Sequence, residues 1–230
     1  MVTNHIAMKI PQFDGFLRKN VIEMPPCIRQ CSGIVILGKK IKSILFSTDV
    51  AVIRNHNADA IIAVYPFTPQ PAITHALLAA ADVPIFCGVG GGLTEGERSV
   101  EIALHAEFQG ALGVVLNHPA KNELIAHIKE RIEIPVIVTV VKADEDFEGR
   151  LKAGIDFFNV SGAAATADIV RKIREISPTV GIIATGGRNN DGILKTIEAG
   201  ANAITYTPLS TAEIFRGIME DYRSGKGYKG

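Results

Sequence analysis

An apolar run that ends in paired glycines, Ile183-Ala-Thr-Gly-Gly-Arg188, is followed at once by Asn189-Asn-Asp-Gly-Ile-Leu-Lys195. A turn without Cβ atoms lets an anion approach main-chain N–H groups. The helix expected after it aims its unpaired amides and the positive end of its dipole at the same point. Arg188 adds a fork that can grip phosphate oxygens. A second turn, Thr207-Pro-Leu-Ser-Thr211, offers hydroxyls and free amides at the start of the last helix. Side by side, Gly186, Gly187, Arg188, Thr207 and Ser210 would form a phosphate cup. A plain tight turn is the plainer alternative for the glycines.

Other chemistry-bearing residues stand at the ends of similar apolar runs. Lys142 follows Val138-Thr-Val-Val and can act as a base or Schiff-base nucleophile if desolvated. A rim lysine paired with Asp144 or Glu145 is the alternative. Asp49 is either a general base or the N-cap of a short helix over 50–55. His118, in Asn117-His-Pro119, can shuttle a proton near neutral pH or serve the loop alone. Asn117, Asn159 and Ser161 are candidate substrate contacts. Asp49, His118 and Asp144 together suggest a metal-assisted hydrolase as a second reading. The run Gly88-Val-Gly-Gly-Gly92 matches neither a dinucleotide fingerprint nor a P-loop, so it reads as an oxyanion cradle, a lid or close packing.

The elements that must position these residues repeat along the chain. Apolar, β-branched runs cover 44–47, 60–64, 84–87, 112–116, 135–140, 157–160, 181–184 and 203–206. Helical periodicity fills 73–81, 98–108, 123–132 and 169–176 between them. Runs that are apolar throughout are buried on both faces, as in a parallel sheet. Eight βα units predict an α/β fold, the closed (β/α)8 TIM barrel, with a doubly wound sheet as the competitor. Barrel enzymes place reactive groups at the C-terminal strand ends, where these candidates fall. Strand parity is read as turning Ser47/Asp49, Thr139, Asn159/Ser161, Thr185 and Thr205/Thr207 inward and Lys142 outward.

Residues 1–42 are expected to form an N-terminal extension, with weak helical periodicity over 13–22 and a hairpin around 34–45 plugging the barrel's N-terminal end. Residues 43–223 would be the barrel, and 224–230 a loose tail. Cys27 and Cys31 read as small buried thiols rather than half of a metal site. No cofactor or metal is assigned. The 230 residues include 24 basic and 24 acidic ones, which gives nucleic acid or a membrane surface no electrostatic support as a partner. Three cysteines, no long apolar run and no secretory-type start predict a cytoplasmic protein. A small phosphorylated metabolite is its expected partner, with a homo-oligomer left open.

The stretches Val138-Thr-Val-Val-Lys142, Gly154-Ile-Asp-Phe-Phe-Asn-Val-Ser-Gly162, Ile183-Ala-Thr-Gly-Gly187 and Gly200-Ala-Asn-Ala-Ile204 resemble the phosphate-binding (β/α)8 barrels. Within that group their order is similar to N-acetylmannosamine-6-phosphate 2-epimerases, 2-keto-3-deoxy-6-phosphogluconate aldolases and the thiazole synthase barrel. The resemblance spans roughly residues 134–215. It implies an isomerase, epimerase or aldolase-type lyase acting on a small phosphorylated metabolite, with the phosphate between the seventh and eighth strands. Lys142 would stand nearest to the family's working lysines, while the epimerases' lysine on an earlier strand has no counterpart beside Cys87-Gly88. A non-catalytic barrel that senses a phosphorylated ligand is the third reading.

Overall fold

A computed structural model describes residues 21–225 together with Pro11 and Phe13. The periodicity over 13–22 and the tail beyond Gly225 lie largely outside the described residues. A 3-10 turn, Pro26–Gln30, leads to a hairpin of β1 (Ile34–Ile36) and β2 (Lys39–Ile41). Eight strands follow: β3 (Ser43–Phe46), β4 (Ala60–Ala63), β5 (Ile85–Gly90), β6 (Gly113–Leu116), β7 (Val136–Val140), β8 (Phe157–Val160), β9 (Gly181–Thr185) and β10 (Ala203–Tyr206). The helices after them are α1 (Val50–Ile53), α2 (Pro71–Ala80), α3 (Glu97–Phe108), α4 (Asn122–Lys129), α5 (Phe147–Lys152), α6 (Thr166–Ile176), α7 (Asn190–Glu198) and α8 (Thr211–Arg223).

The strands close in sequence order, with β10 pairing parallel to β3, which excludes a doubly wound sheet. Closure leaves no sheet edge, so the strands are buried on both faces, as their unbroken apolar runs require. Outward strand residues such as Leu45, Ile61, Val114, Val138 and Ile182 share one core with Val100, Ile125, Ile128, Ile169, Ile173 and Ile193 of the helices. Phe147 and Phe158 meet edge to face in that layer, with ring centroids 5.8 Å apart.

Inward residues form a second core along the axis: Ile44, Ile62, Phe86, Val115, Ile137 and Ile183. Each large side chain there is worth about 1.5–3 kcal/mol relative to exposure. Ile34, Ile36 and Ile41 of the hairpin belong to the same cluster, so β1–β2 closes the N-terminal end of the barrel. Polar ties hold it there. Gly33 donates to the Asn202 carbonyl at 2.9 Å, Asn202 donates to Ser32 Oγ, and Asp59 accepts the amides of Lys42 and Ser43. With one end plugged by isoleucine, the open end lies at the C-terminal strand ends.

Candidate functional site at the barrel mouth

The last inward residue of each strand decides what the open end presents. On the five strands from β6 onward the chain places polar side chains there. Asn117, Thr139, Asn159, Ser161, Thr185, Thr205 and Thr207 line an axial cavity of about 230 Å³, closed on the other side by Phe46, Ile62 and Val64. None of these residues is ionisable. Asn159 Nδ2 donates to Thr139 Oγ1 at 3.1 Å, which turns Asn159 Oδ1 the other way. Asn159 Oδ1 and Thr205 Oγ1 are both buried without a hydrogen-bond partner. A buried acceptor or hydroxyl left unmatched costs roughly 1–3 kcal/mol, so these two atoms are open to complementary polar groups.

Strand parity holds for Thr139, Asn159, Ser161, Thr185, Thr205 and Thr207 but fails on the first barrel strand. There Ile44 and Phe46 face the axis, so Ser47 and Asp49 take the other parity. Asp49 instead caps α1. Its Oδ1 accepts from the Ala51 amide at 2.8 Å and the Val52 amide at 3.3 Å, and its Oδ2 accepts from the Thr211 hydroxyl. The Thr211 hydroxyl, opposed by burial and helped by the Val52 and Ala51 amides, holds this carboxyl below the usual range. Such a group is a poor base and a good clamp between the first and last βα loops.

Gly186 and Gly187 end β9 as a tight turn. A Cβ on Gly186 would lie 2.8 Å from Ile193 Cγ1 and 3.0 Å from Ile204 Cγ2, and Gly187 has φ +77°. Arg188 Nη2 reaches the Pro208 carbonyl at 3.5 Å, so the two turns expected to form the cup are neighbours. The β10 side is already occupied by negative charge. Ser210 and Glu213 form a capping box in which Glu213 Oε2 accepts from both the amide and the hydroxyl of Ser210. Those bonds draw the exposed Glu213 carboxyl below its ordinary pKa, with Arg188 and Arg216 adding a smaller pull. The β8 side is open. A crevice of about 470 Å³ runs between the loops after β8 and β9, along Ala163, Thr166, Gly186, Gly187, Asn189 and Lys195. Thr185 lines both this crevice and the axial cavity.

Lys142 is exposed, and its amide donates to Glu145 Oε1 at 3.1 Å; its side chain does not line the axial cavity. Asp144 is exposed as well. His118 is partly buried at the rim, with Nδ1 3.1 Å from Glu145 Oε1 but not aligned for a hydrogen bond. Asp49, His118 and Asp144 do not gather. Among the described residues no group of three or more His, Cys, Asp or Glu side chains is placed to hold a metal ion. Cys27 and Cys31 sit on and just after the 3-10 turn; burial pushes the Cys31 thiol up to about 11.

Beside His118 lies a pair that the sequence reading did not assign, Glu145 and Arg150. Their side chains are 7% and 10% exposed and their charged atoms 3.9 Å apart. Glu145 Oε1 also accepts the Val141 amide at 2.6 Å. Arg150 donates to the carbonyls of His118, at 3.1 Å, and Ala120, tying the loop after β6 to the loop after β7. Burial lowers the Arg150 pKa, and the charges of Glu145 and Asp146 act against that. An Asp-rich loop followed by a short helix hid the pair, because neither residue stands at a strand end.

Compared by sequence, the chain matches no family model and none of the curated proteins. Compared by structure, it is similar to a protein described as a phosphonomutase from Burkholderia cenocepacia J2315, with a TM-score of 0.62 at 14% identity over 80% of this chain and 92% of that one. It is also similar to a phosphonopyruvate hydrolase solved with oxalate and Mg++ (TM-score 0.62, 12% identity, 81% and 83% covered). A third is QR15, an aldolase (TM-score 0.54, 21% identity, 72% and 84% covered). At these identities the likeness establishes the (β/α)8 barrel and leaves the chemistry to the site.

Proposed function

We propose that the chain is a barrel enzyme acting on a small, hydroxyl-bearing, phosphorylated metabolite. The observation that carries this reading is the pair of buried, unpartnered polar atoms, Asn159 Oδ1 and Thr205 Oγ1, in a cavity whose polar side also carries the hydroxyls of Thr139, Ser161, Thr185 and Thr207. Sugar hydroxyls can both donate to the amide oxygen and accept from the threonine. A lining without charge disfavours an ionised group in the body of the ligand, because nothing there would neutralise it. The phosphate end lies against Gly186 and Gly187 on the crevice side, which the start of α7 lines with Lys195 and also with Asp191, so the main-chain amides and Lys195 have to outweigh that one carboxylate. The opposite side, with Glu213 and Asp49, repels it. Thr207 then contacts the ligand body, while Ser210 is spent on its helix cap.

Isomerase, epimerase or aldol chemistry needs a proton acceptor at the reacting carbon. None of the side chains expected to move protons lines the axial cavity. We take His118 as the candidate, because it adjoins the cavity-lining Asn117 and its Nδ1 lies 3.1 Å from the Glu145 carboxylate, which can hold a protonated ring. The test is a thermal-shift and calorimetric screen of four- to six-carbon sugar phosphates against the same sugars without phosphate. Stabilisation by a phosphosugar, lost in Asn159→Leu, supports the reading; no stabilisation by any of them overturns it. The uncharged lining favours one rival, a barrel that binds the metabolite without converting it. Exchange of the carbon-bound proton into D2O by the bound sugar phosphate separates the two: exchange marks the enzyme, and binding without exchange or product marks the sensor.

A further inference from the structure

A second cavity, of about 310 Å³, opens beside the axial one between the loops after β4 and β5 and shares Val64 and Asn117 with it. Its walls differ in kind. Tyr65, Pro66, Phe67 and Pro69 stand on one side, Leu93 and Thr94 on the other, and Gly88, Gly90 and Gly92 leave the base free of side chains. No acid, lysine, arginine or histidine lines it. An apolar space of about 150 Å³ admits a benzene ring, so there is room for one here with polar atoms at its edge. Phe67 is 73% exposed and Leu93 fully exposed, two large apolar side chains left facing water at the rim.

The walls are held in place without a ligand. Tyr65 Oη accepts the Gln70 amide at 3.0 Å, and the Gly91 amide donates to the Thr94 carbonyl at 2.9 Å. Ser99 Oγ donates to the same carbonyl at 2.9 Å, and the Asn117 amide donates to the Gly90 carbonyl at 2.8 Å. Gly90, with φ +124°, packs so closely that a Cβ would lie 2.6 Å from the Thr94 carbonyl oxygen. A preformed slot lined by aromatic, proline and glycine residues suits a planar ring, which loses little conformational freedom on binding.

We infer that the substrate is bipartite: an uncharged aromatic ring, joined to the hydroxylated portion, occupies the groove between Tyr65–Pro69 and Gly88–Thr94. This rests on the axial cavity's holding the hydroxylated portion, and the shared Val64 and Asn117 mark where the two parts join. The ring adds affinity and selects among phosphosugars that the axial cavity alone would treat alike.

The test compares glucose 6-phosphate with 4-nitrophenyl β-glucoside 6-phosphate by calorimetry, in the unaltered protein and in Gly92→Phe. Gly92 lines the groove and a Cβ there meets nothing within 4 Å, so a phenylalanine is accommodated at the groove wall without displacing backbone. The aryl compound is expected to bind the unaltered protein at least tenfold more tightly, and the two compounds to bind Gly92→Phe within about twofold of each other. An equal affinity in the unaltered protein, or a preference that survives Gly92→Phe, overturns the groove assignment while leaving the axial reading intact. The converse is read with 4-fluorobenzyl alcohol by 19F line broadening. Broadening that Gly92→Phe abolishes, with no stabilisation by any sugar phosphate of the screen, supports the groove as an aromatic site and overturns the axial reading.

Discussion

Removing the charge of Glu145 while keeping its shape should expose how the barrel rim is held. In Glu145→Gln an oxygen remains for the amides of Val141 and Lys142, but Arg150 loses its nearest counter-charge. Two unit charges 3.9 Å apart attract by about 4 kcal/mol at an effective dielectric near 20. Because both side chains are about nine-tenths buried, an unpaired survivor costs roughly 3–5 kcal/mol. Arg150→Met removes the cation and also frees the carbonyls of His118 and Ala120. Each single variant should therefore lose about 3 kcal/mol or more, and the double variant about 3 kcal/mol less than the sum. With a urea dependence of about 3 kcal/mol per molar, each single loss moves the midpoint by about 1 M. Urea unfolding of the four proteins measures the cycle. Losses that add to within about 0.5 kcal/mol would refute the coupling and, with it, the idea that this pair joins the two rim loops.

Asp49→Ala should cost about 1 kcal/mol at neutral pH as a lost N-cap. Because the folded carboxyl titrates below the unfolded value of about 3.9, its contribution is present above that pH and fades below it; the gap between the two proteins should close under acid, and a gap that widens contradicts the cap. Gly186→Ala should destabilise by roughly 1–3 kcal/mol through collision with Ile193 and Ile204, whereas Gly187→Ala meets open space and costs only about 1 kcal/mol of backbone strain; thermal melts rank them. At pH 8 a thiol reagent should label Cys27 quickly in the native protein, because burial lifts Cys31 to about 11 and Cys87 to about 12. Three rapid equivalents would show that the core around those two is open. Lys142→Ala should leave sugar-phosphate affinity within about twofold, since the exposed side chain lies outside the axial cavity.

The eight strands were legible because burial on both faces writes itself as unbroken β-branched runs, and Phe157–Val160 and Ala203–Tyr206 have the bounds that those runs suggest. The helices begin one to three residues before the periodic stretches, at Pro71, Glu97, Asn122 and Thr166, since first-turn residues such as Pro71, Glu97 and the polar Thr166 carry no apolar periodic signal. At the mouth, parity picked out the threonines and Asn159, but it misled on Asp49. There the inward position is filled by Phe46, an apolar residue at the rim that polarity alone cannot identify. Proximity of the two turns was readable from their strand ends. That Glu213 already satisfies Ser210 was not, although Ser210-Thr-Ala-Glu213 has the spacing of a capping box. Glu145 and Arg150 are charged residues in a polar loop, and only their burial marks them.

The central claim is that the neutral ring at the barrel mouth holds a hydroxylated phosphometabolite. It is tested most directly by a crystal structure grown with the sugar phosphate that stabilises the protein most. The expected result places ligand hydroxyls within hydrogen-bond distance of Asn159 Oδ1 and Thr205 Oγ1, and the phosphate against Gly187 on the Lys195 side. A sugar phosphate bound outside the axial cavity, with ordered water alone satisfying those two atoms, would contradict it.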